Sequence, residues 1–441
     1  MTLTQMTAIQ AAAAIRNGEL TSEDLVRACL ARIDEVEKTV GAWTYLDPDH
    51  AIRQAQAADL ARKEGRALGP LHGVPVGVKD IFDTDDMPTE DGTVLHAGRQ
   101  PLEDSAVVAL LREAGAVVMG KTVTTELAVY SPGKTRNPHN PEHTPGGSSS
   151  GSAAAVAAHM VPLAVGSQTN GSVIRPASFC GVVGYKPSFG LISRHRVLRQ
   201  SPPLDSVGVF ARTVEDAALL AEPLMAYDPR DPAMRPRARP TLAATASSEP
   251  PVEPDIAFVK SPVWNKADDD TREAFEELCG HLGERVREVD LPDVFARAHD
   301  WHRDIMEADL AKNFRIDEDK GRDRISPVLR EMMDRGKTVS AVAYNEAIEH
   351  RAVLEGLLEP IFKQYDAILT PATVGTAPKG LDSTGSPMFC TLWTYCGLPA
   401  VSLPLLSGSN GMPMGVQLVG PKGDDARLLR TARWLAESLG E

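Results

Sequence analysis

GGSSSGSAAAVAAHMVPLAVGSQTNGSVIRPASFCGVVGYKP, residues 146–187, decides how the rest of the chain is read. It is dense in Gly and Ser and equally dense in Ala and Val. A flexible linker has the first property without the second. A core segment has the second without the first. Together they describe tight turns that carry hydroxyls and are clamped between buried elements. A nucleophile needs that setting: small residues where backbone meets substrate, and rigid support behind. Within the stretch, 151–159 reads as a helix, 162–166 as a strand, 167–172 as a turn and 181–185 as a strand.

Toward the N terminus, residues 5–17 and 22–37 read as amphipathic helices broken at Asn17-Gly18, and 49–66 as a third helix. The first strand, 74–78, ends at Lys79-Asp80. A helix at 104–114, a short buried strand at 116–119 and a helix around 121–128 come next. Toward the C terminus, a helix at 213–226 precedes a Pro- and Arg-rich surface connection at 228–254. A strand at 256–259, a helix at 267–282 and long charged helices over 292–366 follow. Residues 365–370 read as a strand, 399–405 and 414–419 as two strands across a Gly-rich turn, and 424–438 as the closing helix. Strands alternating with helices predict an α/β fold with a sheet between helical layers. The expected organisation is one domain over 1–441. It has a helical part at 1–66, a core at 67–226, a surface connection at 227–254 and a part completing the sheet at 255–441.

The 441 residues are 42% hydrophobic and 24% charged, as in ordinary globular proteins. Lys and Arg number 46 against 60 Asp and Glu, a net charge of −14. An acidic surface opposes phosphate backbones and anionic lipid, so neither nucleic acid nor membrane is an expected partner. The five cysteines form no CxxC pair and are odd in number, which argues against a disulfide framework or a zinc site. The N-terminal stretch lacks a basic start and a long apolar run, and no window approaches 18 apolar residues. A reduced, cytoplasmic setting is expected.

Three short patterns point to other chemistries and fail on context. Residues 115–122, GAVVMGKT, match the phosphate-loop pattern, but their variable residues look like the strand itself. Residues 147–151, GSSSG, match a nucleophile elbow, but Pro141 and Pro145 exclude the central strand an elbow requires. Residues 131–134, SPGK, place Pro-Gly where a helical turn is needed.

A more dispersed set remains. Lys79 ends an apolar strand, where desolvation favours the neutral amine and so a general base. On position alone a strand-end lysine paired with Asp80 is the better reading. Ser148 opens a helix and reads as a capping or turn hydroxyl. Ser172 follows a run of small and polar residues, 167–171, whose backbone amides can converge on an anion such as an oxyanion. The stretch holds no histidine except His159, so a Ser-His-Asp arrangement lacks a base. A Ser-Lys pairing of Ser172 with Lys79, relayed through Ser148, is the alternative.

At these residues the chain resembles the amidase-signature hydrolases, which include bacterial amidases, fatty-acid amide hydrolase and the A subunit of glutamyl-tRNA amidotransferase. The matching segments are GVPVGVKD (73–80), GAVVMGKT (115–122), NP (137–138), PGGSSSGSAAAVAA (145–158), SVIRPASFCGVVGYKPSFG (172–190), GLPAVSLP (397–404) and MGVQLVG (414–420). The resemblance implies a mixed central β-sheet sandwiched between helices, and no metal or organic cofactor. It also implies a Ser–cis-Ser–Lys triad with Lys79 as base, Ser148 as the cis-serine and Ser172 as nucleophile. Backbone amides of Thr169, Asn170, Gly171 and Ser172 then form the oxyanion hole. Three positions depart from the commonest pattern: Gln168 stands for an Asp, Asn170-Gly171 for Gly-Gly, and Arg175 lies one residue late.

The expected activity is hydrolysis of a linear amide to a carboxylate and ammonia or an amine, through an acyl-enzyme. The rivals are an A-type amidotransferase component that supplies ammonia to a partner, and a non-enzymatic scaffold, which the intact Lys79, Ser148 and Ser172 disfavour. The expected partners are a small-molecule amide and a second copy of the chain. Tyr130, Gln168, Phe389 and Trp393 are candidate substrate contacts. Core packing is the competing reading for Phe389 and Trp393, and bracing of the turn for Gln168. The N-terminal helices pack either on a second copy or on their own core.

Overall fold

Short runs of β-branched and small apolar residues, closed by glycine or a polar residue, build a single mixed sheet. The computed structural model describes residues 2–439. The strands are β1 (Trp43–Leu46), β2 (Pro75–Lys79), β3 (Val117–Thr122), β4 (Leu163–Gln168), β5 (Val183–Lys186), β6 (Ser206–Ala211), β7 (Ile256–Phe258), β8 (Val286–Glu288), β9 (Ala367–Pro371), β10 (Ala400–Ser407) and β11 (Pro413–Val419). They lie in the order β1-β3-β2-β4-β6-β5-β10-β11-β9-β7-β8. β2 runs parallel to β3 and β4, with Val76 opposite Leu163 and Val78 opposite Val165. That register brings the end of β2, where Lys79 stands, level with the end of β4.

Side-chain alternation divides the core in two, as a period of 2 requires. Val118, Leu163 and Val165 face a layer containing Val107 and Leu111 of helix Ala106–Glu113, helix Val214–Leu224 and helix Asp425–Ser438. Val117, Met119 and Ala164 face the other way. There they meet Ala153, Ala154 and Ala155 of helix Ser150–Ala157 and Ala177 of helix Ile174–Cys180. Ile15, Leu25, Cys29 and Ile33 of the N-terminal helices join this second layer, so those helices pack on their own core. Asp216 fixes the first of them by accepting from the amides of Ala8 and Ile9 at 2.8 and 2.9 Å.

Several elements differ from the sequence reading. β3 continues to Thr122, and no helix occupies 121–128; a short 3-10 turn spans Glu126–Ala128. Lys121 therefore lies inside a strand, donating to Phe82 O and Thr89 Oγ1 at 2.7 and 2.6 Å, and it cannot serve a phosphate loop. The connection at 228–254 carries one short helix, Leu242–Ala246. β1, β6, β8 and helices Ile174–Cys180 and Met388–Tyr395 have no counterpart in the sequence reading. In helix Ile174–Cys180, Pro176 occupies the first turn, where an amide has no intrahelical partner to lose.

Candidate active site

Lys79 is fully buried, and the opposing charge that acts on it is that of Asp205. Burial drives its pKa well below the usual lysine range, and the Asp205 charge opposes this only in part. Its Nζ donates to Ser148 Oγ at 2.7 Å and to Ser167 Oγ at 2.8 Å. Asp80, its chain neighbour, lies 3.7 Å from Lys121 instead.

Ser148 follows a cis peptide bond at Gly147–Ser148. Three neighbours hold this turn. Arg175 is wholly buried and donates to Gly147 O at 2.7 Å and to Gly385 O at 2.8 Å. Thr384 and Thr125 crowd Gly147, where a Cβ would meet their methyl groups at 2.8 and 3.0 Å. Ser148 is thus a hydroxyl held on the lysine, and it caps no helix: the residue before helix Ser150–Ala157 is Ser149, which makes no side-chain cap.

The turn between β4 and helix Ile174–Cys180 carries Ser172. Gln168 braces it from within. Its Oε1 accepts from the amides of Val173 and Ile174 at 2.8 and 3.0 Å, and its Nε2 donates to Thr394 Oγ1 at 2.9 Å. Thr169 O accepts from His302 Nε2 at 2.9 Å, and Asn170 O accepts from Thr394 Oγ1 at 2.5 Å. Burial lowers the His302 pKa to about 4, so the imidazole is a neutral donor. Thr169 Oγ1 lies 2.5 Å from Gln200 Oε1 and 2.7 Å from Asp205 Oδ1. With the carbonyls tied outward, the amides of Asn170, Gly171 and Ser172 find no acceptor among the described residues. Buried amides almost always have partners, so three idle donors in one turn stand out as available to an acceptor from outside the chain.

The structure thus brings Lys79 and Ser148 into contact and holds Ser172 in a separate braced turn, with no hydrogen bond joining the two serines. Tyr130 receives a hydrogen bond from Asn170 Nδ2 at 3.0 Å and lines a cavity of about 590 Å³ with Pro132, Ser326, Asp382, Thr384 and Pro387. That cavity adjoins both serine turns, since Thr384 packs on Gly147 and Pro387 on Gly171. A second cavity, of about 480 Å³, touches Ser167, Thr169 and Asp205. Gln168, Phe389 and Trp393 are buried and line neither cavity; Trp393 packs with Leu392, Tyr395 and Leu398. Sequence reasoning missed Asp205 and His302, the contact of Ser167 with Lys79, and the bracing of Gly147 by Arg175. A serine two residues along β4 from Val165 carries no distinguishing pattern, and His302 reaches the turn from a helix more than a hundred residues away.

The family model described as Amidase matches residues 24–429, and the chain belongs to that family. Relatives include the glutamyl-tRNA(Gln) amidotransferase A chain of Chloroflexus aurantiacus, 34% identical over 97% of this chain and 95% of that protein. Its counterpart in Symbiobacterium thermophilum is 35% identical over 94% and 93%. Among solved structures, the peptide amidase of Stenotrophomonas maltophilia superposes with a TM-score of 0.86 at 28% identity, covering 99% and 97% of the two chains. A chain from a vestigial protein complex related to an s-triazine catabolic enzyme reaches 0.92 at 27% identity, covering 99% of each. The mixed sheet between helical layers is therefore the amidase-signature fold.

These relatives correct one expectation. A partner set of a small-molecule amide and a second copy, with no nucleic acid, does not fit relatives that are components of an enzyme named for glutamyl-tRNA(Gln). Net charge misled here because it averages over the whole surface and says nothing of one face. As to membranes, no described helix is long and apolar enough to cross one.

Proposed function

We propose that the chain cleaves amide C–N bonds through an acyl-enzyme on Ser172, with Lys79 as base and Ser148 as relay. The observation that carries this reading is the 2.7 Å contact of a wholly buried lysine with Ser148 beside a turn of idle amides. Neutral Lys79 Nζ takes the Ser148 proton, and Ser148 Oγ takes the Ser172 proton as Ser172 attacks the carbonyl carbon. The carbonyl oxygen becomes an oxyanion held by amides within Thr169–Ser172, where one such donor is worth about 3 kcal/mol of barrier. The proton returns along the relay to the leaving nitrogen, and the C–N bond breaks. Water then attacks the acyl group by the same relay and regenerates Ser172. Tyr130, on the cavity adjoining both serine turns, stands where the substrate enters.

A panel of amides, ureas and hydrazides, run with Ser172→Ala as control, tests this reading. Turnover that disappears in the variant is expected; equal turnover in both would sink the mechanism.

A second reading has its own support. Relatives at 32–35% identity across nearly their whole length are components of an amidotransferase; on this reading the amide nitrogen released here would be passed on to a partner protein. Full amide turnover by the purified chain alone would count against that reading. Turnover that depends on an added partner protein would favour it.

A further inference from the structure

The cavity on the Ser167 side of Lys79 is basic, although the chain as a whole carries −14. Arg194, Arg196, Arg199 and Arg230 line it, against Asp205 and Asp231. A concave wall on which arginines outnumber carboxylates favours a ligand of the opposite sign. Its volume, about 480 Å³, is that of an ordinary small-molecule site.

Not all of this positive charge is used by the protein itself. Arg194 is spent on Asp231 at 2.8 Å and Arg230 on Asp228 at 2.8 Å. Arg199 is exposed and has no carboxylate partner among the described residues. Arg196 reaches Glu103 through Nη2 at 2.5 Å, while its buried Nε has no acceptor. Arg196 also sits at φ 60°, in the left-handed region, which a non-glycine residue keeps only where its surroundings impose it. The floor is polar: Ser167 Oγ accepts from Lys79 Nζ, and Thr169 bonds Asp205. Guanidinium donors with free N–H groups match the paired oxygens of a carboxylate or a phosphate.

We propose that this cavity binds a small anion through its carboxylate or phosphate oxygens, apart from the substrate mouth at Tyr130 and against the Ser167 side of Lys79. Arg199 supplies the open donors, and Arg196, held by Glu103, adds its charge to the wall. The occupant adds negative charge near Lys79, which favours the ammonium form over the neutral amine. It therefore lowers kcat and leaves KM at the mouth unchanged.

Calorimetric titration of the full chain with inorganic phosphate and, separately, with succinate tests the site. Saturable one-site binding of at least one of them is expected, and the pair separates tetrahedral from carboxylate oxygens. Arg199→Gln weakens that binding about tenfold, the loss of one charge-assisted hydrogen bond. Arg199 is exposed, so this variant keeps the fold; Arg196→Gln is the second variant. No saturable heat from either anion, or equal affinity in the wild type and Arg199→Gln, overturns the proposal. Binding is read as heat, so its failure leaves the role of Ser172 untouched, and a failure of Ser172→Ala to lose turnover leaves this site standing.

Discussion

Burial, more than sequence position, sets the chemistry of Lys79. An ammonium there has two hydroxyls for company and a carboxylate only at Asp205, so the charged form is disfavoured. A base with a depressed pKa works while neutral and fails once protonated. The rate is therefore full on the alkaline side and falls toward acid pH as Lys79 takes a proton. A flat pH–rate profile from pH 5 to 9 would contradict this. Lys79→Ala removes the base outright, and kcat/KM then falls by about 10²- to 10⁴-fold, measured in the same assay. Gln168 makes a different prediction. Its side chain satisfies two amides of the Ser172 turn, so Gln168→Leu leaves both without an acceptor. Each orphaned donor costs about 1–3 kcal/mol. Steady-state kinetics will show the loss mainly in kcat, because the turn and not the mouth is disturbed; a change confined to KM would instead assign Gln168 to substrate contact.

At the scale of elements, the sheet was more legible than its caps. Short apolar runs bounded by turn residues located β2, β4, β10 and β11, and helical spacing located the N-terminal pair. β1 escaped because Trp43–Leu46 is an edge strand of four residues with only one side chain fully buried. Helix Met388–Tyr395 escaped because all but its first residue is buried, so no polar face marks its period. Its burial also explains why Phe389 and Trp393 resisted assignment from sequence: an apolar run reads alike as pocket wall and as core. One tie between elements is testable by pH. His96, in a short 3-10 turn at Val94–His96, bonds Asp91 at 2.9 Å and Asp317 of helix Arg315–Gly321 at 2.8 Å. Asp317 and then Asp91 raise its pKa to about 9 from an ordinary 6.5. A cationic group stabilised in the fold contributes fully below pH 6.5, and its contribution is lost as pH rises through 9. Thermal melts of His96→Ala should show a midpoint lower by on the order of 5 °C at pH 6, with the gap closing toward pH 10. A gap independent of pH would mean that packing, not charge, holds the helix.

For the molecule as a whole, the stretch at 146–187 carried most of the legible site, because its chemistry is local: small residues, hydroxyls and a turn. The rest is assembled from far away. Lys79 comes from another strand, His302 from a helix beyond the surface connection, and Thr394 from the C-terminal part. Such convergence has no period or spacing in the sequence, so Lys79 was marked only by its place at the end of an apolar strand and by the motif resemblance. Partners were the least legible of all, since a total of −14 conceals both the arginine-walled cavity and whatever face a partner would use. The central claim, that Ser172 is the nucleophile, can be tested without knowing the substrate. Treating the chain with a serine-reactive fluorophosphonate and mapping the adduct by peptide mass spectrometry is the most direct measurement. The account predicts one adduct, on Ser172, that is lost in Ser172→Ala and slowed in Lys79→Ala; labelling of Ser148 instead, or undiminished labelling of Ser172→Ala, would contradict it.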